Sequence, residues 1–172
     1  REFTSRLAET DSEEKLLIAL RLFRAEQMAA LAWRDLTNQQ TIQTSLAQTS
    51  QLADTLILAA YDWLYQAHSA RYGVPQGPDG PQPMLILGMG KLGGKELNFS
   101  SDIDLIFSYP YKGETDHPRK PIENQQFFTK LAQRLIAALN KTTPLGQVFR
   151  VDMRLRPFGD SGPLVAHFGA LE

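Results

Sequence analysis

Two long stretches near the start of the chain carry apolar side chains at steps of three and four. Leu16, Leu20, Phe23, Ala30 and Leu31, with Gln27 in register, form one stripe that ends near Asp35, the period of an amphipathic helix. Thr10, Asp11 and Ser12 come just before Glu13 and Glu14, the order expected of an N-cap with acids at the positive end of the helix dipole. Ile42, Leu46, Ala53, Leu56, Ala60, Trp63, Leu64 and Ala67 predict a second helix from about Gln40 to Tyr72, closed by Gly73 as a left-handed cap. With only a short polar link between them, residues 1–73 read as a helical hairpin. Trp33 and Trp63 fall on the stripes and read as packing residues.

The pattern then breaks. In GVPQGPDGPQP, proline and glycine together are expected to exclude regular structure, so residues 74–83 read as a linker. Beyond it, residues 84–172 are expected to form a core. MLILG reads as a short buried strand and IDLIF as another. Phe127, Leu131, Leu135, Ala138 and Leu139 mark a helix from about Ile122 to Asn140, and Val148 to Leu155 alternates as a third strand. The order of elements predicts an α+β fold with a mixed sheet of at least three strands and helices behind it.

Composition narrows the chemistry. The 172 residues suffice for a real core, and a formal net charge of -1 gives no overall pull towards nucleic acid or an anionic membrane. Neither is expected as a partner, and phosphate chemistry would have to rest on local cations. No apolar run approaches the roughly twenty residues that span a bilayer, and no signal-peptide pattern is present. The absence of cysteine excludes disulfides and thiolate metal sites and fits a reducing compartment, so a cytoplasmic location is expected. The chain begins Arg-Glu-Phe without an initiator methionine, and it is expected to be a piece of a longer protein.

Within LGMGKLGGKELNFSSDIDLIF, Gly88, Gly90 and Gly93 spell the G-x-G-x-x-G of a dinucleotide-binding turn. That turn requires a full crossover helix before the next parallel strand, roughly a dozen residues or more. Only KELNFSS separates Gly94 from Asp102, so the glycines have another purpose. A strand, a Gly93-Gly94 pair opening a short helical turn, and a second strand carrying Asp102-Ile103-Asp104 fit better. Glycine at a helix start lets backbone amides approach a phosphate closely. Alternation places Asp102 and Asp104 on one face, their alpha carbons roughly 6 to 7 Å apart. Carboxylates so placed repel unless a cation lies between them, and hard divalent ions take such oxygen ligands.

A third acid comes from VFRVDMRLRP. Alternation sends Phe149, Val151, Met153 and Leu155 one way and Val148, Arg150, Asp152 and Arg154 the other, which sets Asp152 between two arginines. The acid suits a metal and the arginines suit phosphate oxygens. The plainer alternative makes Asp102 and Asp104 solvated turn residues and pairs Asp152 with Arg150 or Arg154. Taken together, Gly-Gly, D-x-D at this spacing and a strand aspartate between arginines read as a nucleotidyltransferase site. Ser100 and Ser101 read as turn formers, Lys95, Glu96 and Asn98 as surface residues, and His68, His117 and His167 have no metal-ligand spacing.

GMGKLGGKELNFSSDIDLIF, followed further on by VDMRLRPFGDSGPLV, resembles the glutamine synthetase adenylyltransferase family, bifunctional enzymes that attach AMP to a tyrosine of glutamine synthetase and remove it. The resemblance covers most of the chain. It implies a nucleotidyltransferase fold of the DNA polymerase beta-like kind, a multifunctional cytoplasmic enzyme of nitrogen metabolism, and Asp102, Asp104 and Asp152 as catalytic ligands of Mg2+ or Mn2+. It further implies that Gly93 and Gly94 help to seat the nucleotide or phosphate, with Arg154, Arg156 and Lys91 as phosphate-binding candidates. The ending RLRPFGDSGPLV looks like the N-terminal, adenylyl-removing copy of the domain, whose reaction is phosphorolysis with phosphate and ADP. Implied partners are glutamine synthetase, a PII-type signalling protein, and ADP or ATP. Forward adenylylation from ATP is the nearest alternative, and a non-catalytic module that binds nucleotide or a partner is the other.

Overall fold

The computed structural model describes residues 2–156 and 159–170. A short helix, α1 (Glu2–Ala8), which the sequence pattern did not announce, precedes the predicted hairpin of α2 (Glu13–Leu36) and α3 (Ile42–Tyr72). Phe3 of α1 stacks on Phe23 of α2 with ring centroids 4.0 Å apart. Ser12 is the N-cap of α2, its hydroxyl accepting from the Lys15 amide at 3.4 Å. Gly73 follows α3 at φ +82°, a backbone conformation that favours glycine. No helix among the described residues is long and apolar enough to cross a membrane.

The two faces that meet in the hairpin are only partly those of the stripes. Leu16, Leu20, Leu31, Leu56, Ala60 and Leu64 are buried as expected, but so are Ser45, Thr49 and Ser50. Thr49 and Ser50 return their hydroxyls to the carbonyls of Ser45 and Leu46, four residues back, so the small polar side chains satisfy themselves and let the neighbouring chain approach closely. Trp63 packs and donates its indole N–H to the Thr10 carbonyl at 3.0 Å. Trp33 does not pack as expected: it lies near the loop that joins the two helices, 66% exposed, with Leu36 and Ile42 also in solvent.

Residues 74–83 are not the structureless linker expected. Strands β1 (Gln76–Gly77) and β2 (Gly80–Pro81) pair antiparallel around a tight turn. Gln82 is buried and its side-chain amide donates to the Gln76 and Tyr111 carbonyls, so this segment is knitted to the later loop. Proline and glycine had disfavoured a long element, not a two-residue ladder with its turn.

The main sheet is mixed, as predicted for an α+β fold. Strand β3 (Leu85–Met89) runs antiparallel to β4 (Ile103–Tyr109), from Leu85 opposite Ser108 to Met89 opposite Asp104. On the other edge of β4, β5 (Val151–Asp152) pairs parallel with Ile103 and Asp104, and β6 (Val165–His167) pairs parallel with Phe107 to Tyr109. The helix α5 (Asn124–Asn140) makes the crossover between β4 and β5 that a parallel pair requires. Its Phe127, Phe128, Leu131 and Leu135 share one buried core with Ile103, Leu105 and Phe107 of β4, and α3 packs against α5.

One buried cation ties the hairpin to this core. Arg21, 2% exposed on α2, donates from Nη1 to Leu17 O at 2.9 Å, from Nε to Gly146 O at 3.1 Å and from Nη2 to Ala138 O at 3.3 Å, and also binds Lys141 O. These last carbonyls belong to the final turn of α5 and the loop after it, where free acceptors and the negative end of the helix dipole favour a guanidinium.

Candidate active site

Three segments meet at the start of β4 because of the sheet register. The antiparallel partner β3 ends there, opposite Asp104; the parallel partner β5 runs alongside, with Asp152 in register with Asp104. Ile103 and Leu105 are fully buried beneath the strand, so the intervening Asp104 and the preceding Asp102 project from the opposite side, half-buried. Between them these residues line a cleft with Gly90, Lys91, Asn98, Ser100, Ser101, Arg150 and Arg154.

The glycine-rich turn serves the aspartates at a different residue from the one expected. A single helical turn, α4 (Gly90–Gly93), begins directly after β3, so Gly93 and Gly94 end the turn and do not open it. Gly90 has φ +53°, and a Cβ placed there would lie 2.5 Å from Asp104 Oδ2; only glycine admits both the backbone conformation and the carboxylate. A Cβ on Gly93 would meet the Gly88 carbonyl oxygen at 2.5 Å, so Gly93 lets the turn fold onto the strand end. Gly94 sits in the right-handed helical region with room for a methyl group. Neither Gly93 nor Gly94 lines the cleft.

KELNFSS then forms an irregular loop, not the anticipated extension of that turn. Asn98 organises it: its Oδ1 accepts from the Ser100 amide at 3.2 Å and the Ser101 hydroxyl at 2.7 Å, and Ser101 in turn accepts from Lys91 Nζ at 3.4 Å. The buried Leu97 anchors the loop to the hairpin, its amide donating to Ser50 Oγ at 3.0 Å. Asn98, Ser100 and Ser101, which read as surface and turn formers, therefore build one wall of the cleft, and Lys95 and Glu96 do not line it.

The segment from Val148 to Leu155 does not alternate throughout. Val148 and Phe149 are both buried because both amides donate to the Leu139 carbonyl at 3.1 Å, a kink that strand periodicity does not contain. Pairing is confined to Val151 and Asp152, and Leu155 is half exposed instead of packed. The arginines also divide differently from the flanking arrangement expected. Arg150 Nε donates to Asp102 Oδ1 across the strands, whereas Arg154 donates to Asp152 through its amide at 2.9 Å and its Nε at 2.7 Å. These contacts hold Asp152 below the usual carboxylate range, chiefly through the Arg154 hydrogen bond, and raise the proton affinity of both arginines. Arg156 does not line the cleft; its Nη1 donates to the Met153 carbonyl at 3.2 Å. Of the ending that resembles the adenylyl-removing copy, Pro157 and Phe158 lie outside the described residues, whereas Ser161 to Leu164 are within them.

The donor set suits a hard cation. Three carboxylates gather at one strand end with neither thiolate nor imidazole among the cleft residues, the chemistry of Mg2+ or Mn2+ sites more than of zinc. Among the described residues no three acidic or histidine side chains are gathered as a metal ion would need; guanidinium groups engage Asp102 and Asp152. Those guanidinium groups are surface ones: the Arg154 side chain is 81% exposed against 13% for Asp152. Ion pairs with so exposed a partner are weak, although the Arg154 amide also holds Asp152.

A family model described as glutamate-ammonia ligase adenylyltransferase matches residues 1–172. The chain belongs to the glutamate-ammonia ligase adenylyltransferase family. Among its relatives named bifunctional glutamine synthetase adenylyltransferase/adenylyl-removing enzyme, that of Alteromonas mediterranea is 65% identical over 161 residues, covering 94% of this chain and 16% of the relative. Those of Shewanella woodyi and Shewanella frigidimarina are each 54% identical, over 167 and 169 residues, covering 96% and 98% of this chain and 18% of each relative. This member of the adenylyltransferase family thus spans less than a fifth of the length of these relatives. In it, sequence pattern located the three aspartates, Lys91 and Arg154 in the cleft. It passed over Gly90, Asn98 and the Arg150 contact, for which the positive φ and the cross-strand pairing are the only signals.

Proposed function

We propose that this chain carries the nucleotidyl-transfer site that removes AMP from adenylylated glutamine synthetase by phosphorolysis. The observation that carries the reading is the register of Asp104 against Asp152, with Asp102 two residues before, beside a turn whose Gly90 leaves room for the Asp104 carboxylate. Family membership supplies the substrate class, since its relatives are named for adenylyl transfer to and removal from glutamine synthetase. An oxygen of inorganic phosphate forms a bond to the phosphorus of the adenylyl group, the bond from that phosphorus to the tyrosyl oxygen breaks, and ADP leaves.

Asp102, Asp104 and Asp152 would hold Mg2+ or Mn2+. When bound, such an ion neutralises charge on the phosphoryl oxygens and on the departing phenolate. The chain's own part is position and field. Arg154 and Lys91 face the cleft and supply cations for phosphate oxygens, with Arg156 just beyond. Gly93 and Gly94 act indirectly, by closing the turn that sets Gly90 and Lys91. A PII-type protein is the proposed regulator, acting on the whole enzyme in the cytoplasm.

The test supplies the whole protein with AMP-modified glutamine synthetase and inorganic phosphate, and follows ADP. Asp104→Asn should abolish release while leaving the circular dichroism unchanged, because it removes a charge and almost no volume. Wild-type rates in that variant would overturn the assignment. A parallel reaction with ATP and unmodified glutamine synthetase separates the forward direction, which the relatives' names also carry.

A further inference from the structure

The helical hairpin contributes a side chain beside the aspartates that the reaction above does not use. Arg24 extends from α2 over the segment leading into β5, its guanidinium carbon 5.3 Å from the centroid of the Phe149 ring. Phe149 is 4% exposed, and its backbone N–H donates to the Leu139 carbonyl near the end of α5, which holds the platform under Arg24 in place. Arg24 Nε is buried and has no hydrogen-bond acceptor, and no carboxylate among the described residues pairs with the group. Burial draws its proton affinity down, yet a guanidinium keeps its charge at any ordinary pH. The Arg24 side chain is only partly buried, but its Nε–H is shut away from water, and a buried donor is costly to leave unmet unless something accepts from it.

A cavity of about 170 Å³ lies against Arg24, walled also by Phe99, Ser100, Ser101, Asp102 and Arg150. Ser100, Ser101, Asp102 and Arg150 line the aspartate cleft as well, so the two spaces share a wall. Asp102 is already matched by Arg150, which leaves Arg24 as the uncompensated charge of the cavity. Lying over the Phe149 ring, a guanidinium still has N–H donors to offer a phosphoryl oxyanion. The cavity is well below the roughly 300 Å³ at which drug-sized ligands begin to be held, room for a compact tetrahedral anion and not for a nucleotide.

The geometry points to a subsite for inorganic phosphate, bound by Arg24 with Arg150 and the Ser100 hydroxyl, on the far side of Asp102 from the nucleotide cleft. Its purpose, supplying the attacking phosphate, rests on the phosphorolysis reading; the binding itself does not. The hairpin then contributes part of the site and is more than scaffolding.

The test titrates inorganic phosphate, and AMP in a separate arm, into the 15N-labelled chain. Phosphate should shift the Arg24 Nε–H signal and the amides of 147–150 saturably, and AMP should leave that Arg24 signal in place. Arg24→Gln should weaken phosphate at least about tenfold, and Arg24→Lys less, since it keeps the charge and loses the fork. Shifts that do not saturate, that spare Arg24, or that follow AMP and not phosphate would overturn the subsite, and this wild-type map decides even if Arg24→Gln fails to fold. In the whole protein Arg24→Gln should raise KM for phosphate about tenfold with KM for modified glutamine synthetase unchanged. Phosphorolysis with an unaltered phosphate KM would overturn the subsite and keep the proposed function. Arg24-dependent phosphate binding without phosphorolysis would do the reverse.

Discussion

Gly90 shows how much one missing side chain decides. It is the point where β3 turns into α4, at φ +53°, with the Asp104 carboxylate filling the volume that a Cβ would take. Gly90→Ala should therefore act twice, straining the backbone by about 1 kcal/mol and displacing the carboxylate. Activity should fall on the order of 100-fold, the cost of misplacing a catalytic group by about an ångström, with a far smaller loss of stability. Gly94→Ala makes the control, because Gly94 has helical dihedrals and an added methyl meets ordinary van der Waals contact; it should cost little in either measurement. Equal losses in the two variants would show that the turn as a whole matters and Gly90 does not stand apart. The sequence displayed all four glycines alike. Which of them faces a carboxylate depends on how the turn folds back on β4.

At the level of elements, α2 and α5 are joined by a charge and not only by their apolar faces. Arg21 lies beside Leu20 on a helix whose stripe was legible, but nothing in a 3.6-residue period says that a guanidinium occupies the interface. Its acceptors outside α2, Gly146, Ala138 and Lys141, are more than a hundred residues away. Arg21→Met keeps much of the volume and strips the last turn of α5 of its donors, so chemical denaturation should show a loss of about 3 kcal/mol. A loss below about 1 kcal/mol would mean that water replaces the guanidinium without penalty. The same reasoning explains why the third strand was overread. Alternation is a local signal, and the Leu139 carbonyl that draws in both the Val148 and Phe149 amides is a tertiary partner.

The whole molecule carries a titration that couples its two parts. His68 on α3 is buried against Phe127 of α5 and accepts from Arg134 at 3.2 Å, while Arg134 binds Glu13 of α2 at 2.7 Å. Burial first, then the charges of Arg134, Lys130 and Arg71, push His68 down to about 4. Because the folded pKa lies below the unfolded value near 6.5, the stabilisation is complete above about pH 6.5 and drains away as pH falls towards 4, by up to about 3 kcal/mol. His68→Gln should lack that component, so the difference in unfolding free energy between the two proteins should shrink from neutral pH to pH 4; curves that run parallel would refute it. What the sequence by itself determined was everything that a period, a cap or a motif can encode: two long helices, the α+β order, the strands around Gly88 and Asp104, and the three acids. Only the tertiary structure decided which glycine admits Asp104, which arginine holds which carboxylate, that Trp33 stays in solvent, and that α2 reaches the site through Arg24. The division has a physical cause. Periodicity records which side of an element avoids water, whereas hydrogen bonds and charge pairs between distant segments depend on register and loop path, which no local run of residues contains.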